Sequence, residues 1–202
     1  MRLLPAGDRA VLLDCADPDE ARAWHAALVD AADVTLGART VLVRGEPAET
    51  RRLVTAARPR EVSTRPSTEV VLAVVYDGPD LDEVARLTGL TVEEVVTAHT
   101  GTTWDVAFTG FAPGFAYLTG GDPRLHVPRR DTPRPRVPAG AVGLAGPYSG
   151  AYPRESPGGW QLLGRTDATL WDLDRDPPAL LRPGTRVRFE VAPPEAELEE
   201  QA

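Results

Sequence analysis

The chain has no lysine, no isoleucine and no asparagine, and a single cysteine, Cys15. Every one of its 22 basic side chains is therefore an arginine. That excludes a Schiff-base lysine, a phosphate-loop lysine and a biotin-acceptor lysine. Chemistry that needs ATP or biotin has to be carried by another chain. One cysteine excludes an internal disulfide framework. Together with three scattered histidines, His25, His99 and His126, it gives no metal-ligand spacing, so no metal site is expected. No stretch of 18 or more apolar residues exists, which argues against a membrane-spanning helix. The opening MRLLPAGDRA lacks the apolar core of a secretory signal, and the simplest expectation is a cytoplasmic protein. Positive charge is also scarce: the formal net charge is −8, and it stays negative without the glutamate-rich end. A nucleic-acid binder would need a basic face. No G-x-S-x-G elbow surrounds Ser149, Ser156 or Thr109 to make a nucleophile.

What is present, 202 residues with 42% hydrophobic content, suffices for one large domain or two small ones. Residues 1–57 alternate strand and helix patterns. Ala10–Leu13 and Thr40–Val43 read as strands. Asp17–Val29, with Asp17 at its cap and Pro18 in its first turn, reads as a helix, and so does Pro47–Ala57. The polar, period-free run RPREVSTRPSTE (58–69) reads as a linker. This places a small α/β domain at 1–66, a second domain at 67–193 and an acidic, disordered tail at 194–202.

The second domain opens with a continuous apolar run, Val70–Tyr76, expected as a buried strand. Asp80 is expected to cap a helix ending near Gly89. Thr91 is expected to cap a second helix, through a capping box with Glu94, that stops at Gly101. Short strand candidates then alternate with turns: Val106–Phe108, Ala141–Ala145, Gln161–Leu163, Thr169–Trp171 and Arg186–Val191. That spacing predicts a closed or nearly closed β-barrel, and the fold class as a whole is α+β.

Functional residues concentrate between Gly110 and Arg165. Nine of the twelve aromatic residues lie between Trp104 and Trp171, among glycines and prolines that demand shaped loops. Arg129, Arg130, Arg134 and Arg136 fall within eight residues, stiffened by Pro128, Pro133, Pro135 and Pro138. Guanidinium groups on a rigid loop can grip a carboxylate or phosphate bidentately; on a solvated loop they would only pair with surface acids. GFAPGFAYL (110–118) either turns its amides toward an oxyanion, with Tyr117 lending a hydroxyl, or plugs a barrel end with its rings. SPGGW (156–160) lets a backbone approach a ligand or another strand beside Trp160. His99 closes a helix, where the dipole favours a protonated imidazole able to orient substrate, shuttle a proton or merely cap. Cys15 reads as buried and unreactive.

GFAPGFAYL, the PR…TPR…VPAG run (128–140) and YPRESPGGWQLLGRT (152–166) carry a resemblance. So do PAGDRAVLL (5–13), VVYDGPDLDEVARLTGL (74–90) and AHTGTTWDVAFTGF (98–111). In them the chain resembles the subunit-1 family of allophanate hydrolase-like proteins. That family includes a component of 5-oxoprolinase and Kip-type inhibitors of a sporulation histidine kinase. The resemblance implies a cyclophilin-like barrel behind the α/β domain. It implies a subunit of an ATP-dependent enzyme opening 5-oxoproline to L-glutamate. Such an enzyme is active with a subunit-2 partner and a third subunit, with ATP bound largely by those partners. Two alternatives stay open: a regulatory protein inhibiting a sensor histidine kinase, and a carboxyltransferase-type subunit acting on urea or another small amide. The expected site has His99, Tyr117 and Arg129 as catalytic groups, and Phe111, Gly114, Arg134, Tyr148, Trp160 and Arg165 around the substrate. One departure falls in that site: many relatives read glycine-glutamine-threonine-glycine where this chain has Pro147-Tyr148-Ser149-Gly150.

Overall fold

A computed structural model of the chain describes residues 1–60 and 68–192. The expected acidic tail and most of the expected linker lie outside the described residues. Two compact units are present, one within Met1–Arg65 and one within Pro66–Ala202.

In the first unit β1 (Arg2–Pro5), β2 (Ala10–Asp14), β3 (Asp33–Leu36) and β4 (Thr40–Arg44) form an antiparallel sheet in the order β1-β2-β4-β3. Helix α1 (Pro18–Leu28) starts where the Asp17 side chain accepts from the Glu20 amide. Helix α2 (Pro47–Ala56) starts where Glu46 accepts from the Ala48 and Glu49 amides. Trp24 and Leu28 of α1 and Val54 of α2 bury against Leu13, Val41 and Val43 of the sheet. β1 and β3 went unanticipated because each has four residues, too few for a period to stand out from the turns beside it. Cys15 is buried here, and that burial pushes its thiol up to about 11.

The described part of the second unit is built on a seven-stranded sheet and a two-stranded ribbon. β5 (Thr68–Val74) is followed by α3 (Leu81–Thr88) and α4 (Val92–Thr100), then β6 (Thr103–Thr109) and β7 (Ala116–Thr119). β8 (Arg134–Val137), β9 (Ala141–Ala145), β10 (Tyr148–Ala151), β11 (Ser156–Gly158), β12 (Gln161–Arg165) and β13 (Thr185–Val191) follow. The main sheet runs β12-β9-β10-β7-β6-β13-β5, and among the described strands only the β13–β5 pair is parallel. β8 and β11 make a separate two-stranded ribbon.

The ends of the seven-stranded sheet meet. Just past β5, Val75 exchanges both backbone hydrogen bonds with Arg165 of β12, each 2.9 Å long. The Gly78 and Asp80 amides then donate to the carbonyls of Leu163 and Leu162. This seam curls the sheet into a barrel filled by Leu72, Val106, Leu118, Leu144, Leu163 and Phe189, with Val84 and Val95 covering it from the helices. The approach is so close that a Cβ on Gly164 would lie 2.1 Å from the Val75 carbonyl oxygen.

Two expected strands differ. The Val70–Tyr76 run is not buried on both faces: β5 pairs through only one named strand, and Val71 is exposed while Leu72 and Val74 point inward. Thr169–Trp171 forms no strand, and Trp171 makes only an isolated bridge to Ala179. Pro177 and Pro178 beside that bridge lack the amides a ladder needs. The capping box of Thr91 and Glu94 is present as expected, and Gly89 ends α3 in the left-handed conformation. Asp80, however, makes no side-chain capping bond to α3.

Gly164→Ala is expected to destabilise the chain by about 1–3 kcal/mol, because backbone at the seam cannot yield as a side-chain tip would. Gly110→Ala, whose Cβ meets nothing within 4 Å, serves as the control. Urea unfolding of both variants against the parent chain checks this.

Candidate functional site

Beside β7, β9 and β10 lies a cavity of about 480 Å³. Its walls are aromatic. Phe115, 1% exposed, sits at the centre, with its ring centroid 5.0 to 5.4 Å from those of Phe111, Tyr117, Tyr152 and Trp160. All four contacts are edge-on, the arrangement that the aromatic quadrupole favours. Tyr117 also stacks flat on Phe108 and meets Tyr148 edge-on. Gly158 is required here, since a Cβ at this position would lie 2.3 Å from the Tyr152 hydroxyl. Phe111 at the rim is 56% exposed and has φ +68°, a left-handed backbone otherwise found here at glycines among the described residues.

The polar groups of the cavity are few. Arg129 lines it, and its guanidinium has no hydrogen-bond or ion-pair partner among the described residues. The Tyr117 hydroxyl is pushed up by burial, which the nearby Arg129 charge only partly offsets, so it stays a protonated donor at neutral pH. Burial likewise pushes Tyr152 up to about 12. Among the described residues, no aspartate, glutamate or histidine lines the cavity.

The other arginines of the 129–136 loop are engaged elsewhere. Asp80, with its side chain 3% exposed, accepts four hydrogen bonds. Arg134 donates two, at 2.7 and 2.8 Å, in the bidentate fork that suits a carboxylate. Arg130 donates one at 2.6 Å, and the Leu162 amide one at 2.8 Å. Burial pushes the Asp80 carboxyl up, but these donors and the two positive charges outweigh it and hold the group below its ordinary range. Arg136 is 81% exposed and only 3.9 Å from Glu155, a solvated pair.

The cavity therefore gathers Phe111, Tyr117, Arg129, Tyr148 and Trp160 of the expected residues, and it leaves four out. Arg134 is spent on Asp80. Arg165 stands at the barrel seam with its Nε 3.1 Å from Asp77. Gly114 lies in a second cavity, about 430 Å³, on the Trp171 side of the same loop. His99 is wholly buried, stacked on Phe189, with its ring nitrogens 2.7 Å from the Tyr76 hydroxyl and 2.8 Å from that of Ser149. The expectation of a protonated imidazole is corrected: burial lowers His99 to about 3, which overrides the helix dipole. Of the four amides of GFAPG, two are consumed within the loop, Gly110 donating to the Phe115 carbonyl and Ala112 to the Gly110 carbonyl. Asp80, Tyr152 and Pro147 were missed. Asp80 read as an ordinary helix cap, and nothing in the sequence links it to arginines 50 and 54 positions away.

Residues 1–181 match the family model for the carboxyltransferase domain, subdomain C and D. The chain is 50% identical over 123 residues to the 5-oxoprolinase subunit designated B of Escherichia coli O157:H7, covering 59% of this chain and 56% of that protein. It is 45% identical over 141 residues to the protein of the same designation in Bacillus subtilis strain 168, covering 68% of this chain and 58% of that protein. The chain thus spans less than three-fifths of either relative. The crystal structure of the Kluyveromyces lactis urea amidolyase superposes with a TM-score of 0.80 over 98% of this chain and 15% of that one. At 21% identity, that likeness bears on the fold alone.

The buried imidazole sets a pH dependence. An unfolded His99 takes up a proton as pH falls through 6.5, whereas the folded one does so only near 3. The unfolded state binds more protons in between, so stability is full above pH 6.5 and declines as pH falls below it. The slope approaches roughly 1.4 kcal/mol per pH unit. Half-buried His25, also lowered by burial, acts in the same direction. Unfolding free energies from pH 7 to pH 4.5 should show this decline, and His99→Gln should flatten most of it.

Proposed function

Because this chain belongs to the carboxyltransferase domain, subdomain C and D family, we propose that it is a subunit of a 5-oxoprolinase-type hydrolase. Its substrate is then a small cyclic amide that carries a carboxylate, opened to the amino acid with a subunit-2 partner. The observation that carries this reading is Arg129, a guanidinium on the wall of an aromatic cavity with no pairing partner among the described residues. A flat lactam ring packs against Trp160 and Phe115. Its carboxylate pairs with Arg129 in the planar, bidentate manner that guanidinium favours. Tyr117, protonated and half-buried, donates to the amide carbonyl and takes the polarising role expected of the GFAPG amides.

Among the described residues the cavity has no carboxylate, histidine or thiol to activate water, so the remaining groups come from the partner. ATP, which the family resemblance implies, does not fit this cavity. A triphosphate would face one guanidinium, with no carboxylate there to hold a metal. No step is therefore assigned to ATP on this chain, and its chemistry belongs to the partner subunits. Among the described residues no cluster of histidine, cysteine, aspartate and glutamate side chains could hold a metal ion.

The test is reconstitution. The chain alone should bind 5-oxoproline without turning it over, and the complex with its subunit-2 protein should release glutamate. Arg129→Gln in that complex should raise KM by about 10- to 100-fold, the scale of one lost charge-assisted hydrogen-bond pair. Turnover by the isolated chain would refute the half-site reading. An unchanged KM would remove Arg129 from it.

A further inference from the structure

We propose that Asp80 is a positioning residue for Arg129, acting through the two arginines it holds. The proposal rests on the reading of Arg129 as the carboxylate anchor.

Arg129 sits between two pinned neighbours. The Pro128 carbonyl accepts from Gln161 Nε2 at 3.2 Å. The Arg130 amide donates to the Gly159 carbonyl at 2.8 Å, and the Arg130 guanidinium ends on Asp80. Four residues on, Arg134 closes the loop with its fork onto the same carboxylate. With the backbone fixed on both sides, the Arg129 side chain leaves it in one direction, across the backbone of Gly159 and into the cavity.

Asp80 is itself fixed. Its amide donates to the Leu162 carbonyl, and its carboxylate accepts from the Leu162 amide, so it is bound at both ends to the strand that forms the barrel seam. The loop is thereby referenced to the barrel and not to solvent. Charge matters as well. One carboxylate faces two guanidiniums, leaving the hub with an excess positive charge next to Arg129. Neutralising Asp80 would enlarge that excess, so on charge alone the variant would bind an anion more tightly, and weaker binding reads out lost position. The Asp80 oxygens, already occupied, also discourage Arg129 from folding back onto them. A group held this way needs little reorganisation when a carboxylate arrives, the condition under which one charge pair is most effective.

The test uses the full chain with Asp80→Asn, Arg129→Gln and the double variant. Each is titrated with 5-oxoproline and with 2-pyrrolidinone, the same ring without the carboxylate. Asp80→Asn is expected to weaken 5-oxoproline binding by about 10-fold or more, the scale of a misplaced anchor, and to leave 2-pyrrolidinone unchanged. In the double variant the loss should be no greater than with Arg129→Gln alone, because both changes remove one function. Equal weakening of both ligands, or losses that multiply in the double variant, would overturn the proposal. If the parent chain does not bind 5-oxoproline, the reading of the pocket fails and amide exchange decides the positioning role. Faster exchange at residues 129–131 in Asp80→Asn, with β6, β7 and β9 unchanged, supports it, and unchanged exchange in the loop refutes it. Should Asp80→Asn fail to fold, Arg134→Gln removes the fork while leaving Asp80 paired with Arg130, and the same comparisons apply.

Discussion

A carboxylate almost out of reach of water must be surrounded by donors, because an uncompensated buried charge is among the most destabilising things a fold can contain. Asp80 meets that condition with four hydrogen bonds, three of them from arginines of the loop that walls the cavity. The requirement sorts the arginine cluster. Arg130 and Arg134 are consumed by it, Arg136 is left to solvent, and Arg129 alone is delivered to the cavity. A structural necessity of the barrel thus decides which guanidinium of the cluster lines the cavity.

The rest of the second unit serves the same placement. The seam between Val75 and Arg165 fixes β12, and β12 carries the Leu162 amide that completes the ring of donors. Helix α3 begins at Asp80, so its N-terminal end is anchored to the seam and not capped by its own side chain. On the other wall, β7 and β10 present Tyr117 and Tyr148, and the ribbon of β8 and β11 brings Gly158 beneath the Tyr152 ring. Behind β10, the Tyr76–His99–Ser149 chain of hydrogen bonds satisfies polar groups in the barrel interior. It places the neutral imidazole one residue behind Tyr148 but outside the cavity lining.

Much of this was legible in the sequence. Proline at helix starts, the Thr91–Glu94 box and Gly89 marked helices correctly, because caps are local chemistry. The aromatic and arginine motifs marked the right stretch for the cavity, and five of the residues named there do line it. What could not be read were long-range pairings. Arg134 and Arg165 looked like ligand-binding groups until their carboxylate partners, Asp80 and Asp77, came into view from the far side of the seam. His99 looked dipole-stabilised because burial is a property of the assembled barrel. Short strands such as β7, β8, β10 and β11 were lost among turn residues, since three or four positions cannot establish a period.

The most direct test is a crystal structure of the chain, alone or with the subunit-2 partner proposed for it, soaked with 5-oxoproline. The account predicts the ligand carboxylate within hydrogen-bond distance of the Arg129 guanidinium, the ring against Trp160 and Phe115, and Asp80 still joined to Arg130 and Arg134. A ligand held by Arg130 or Arg134 with the Asp80 pairs broken, or lodged away from Arg129 altogether, would contradict it.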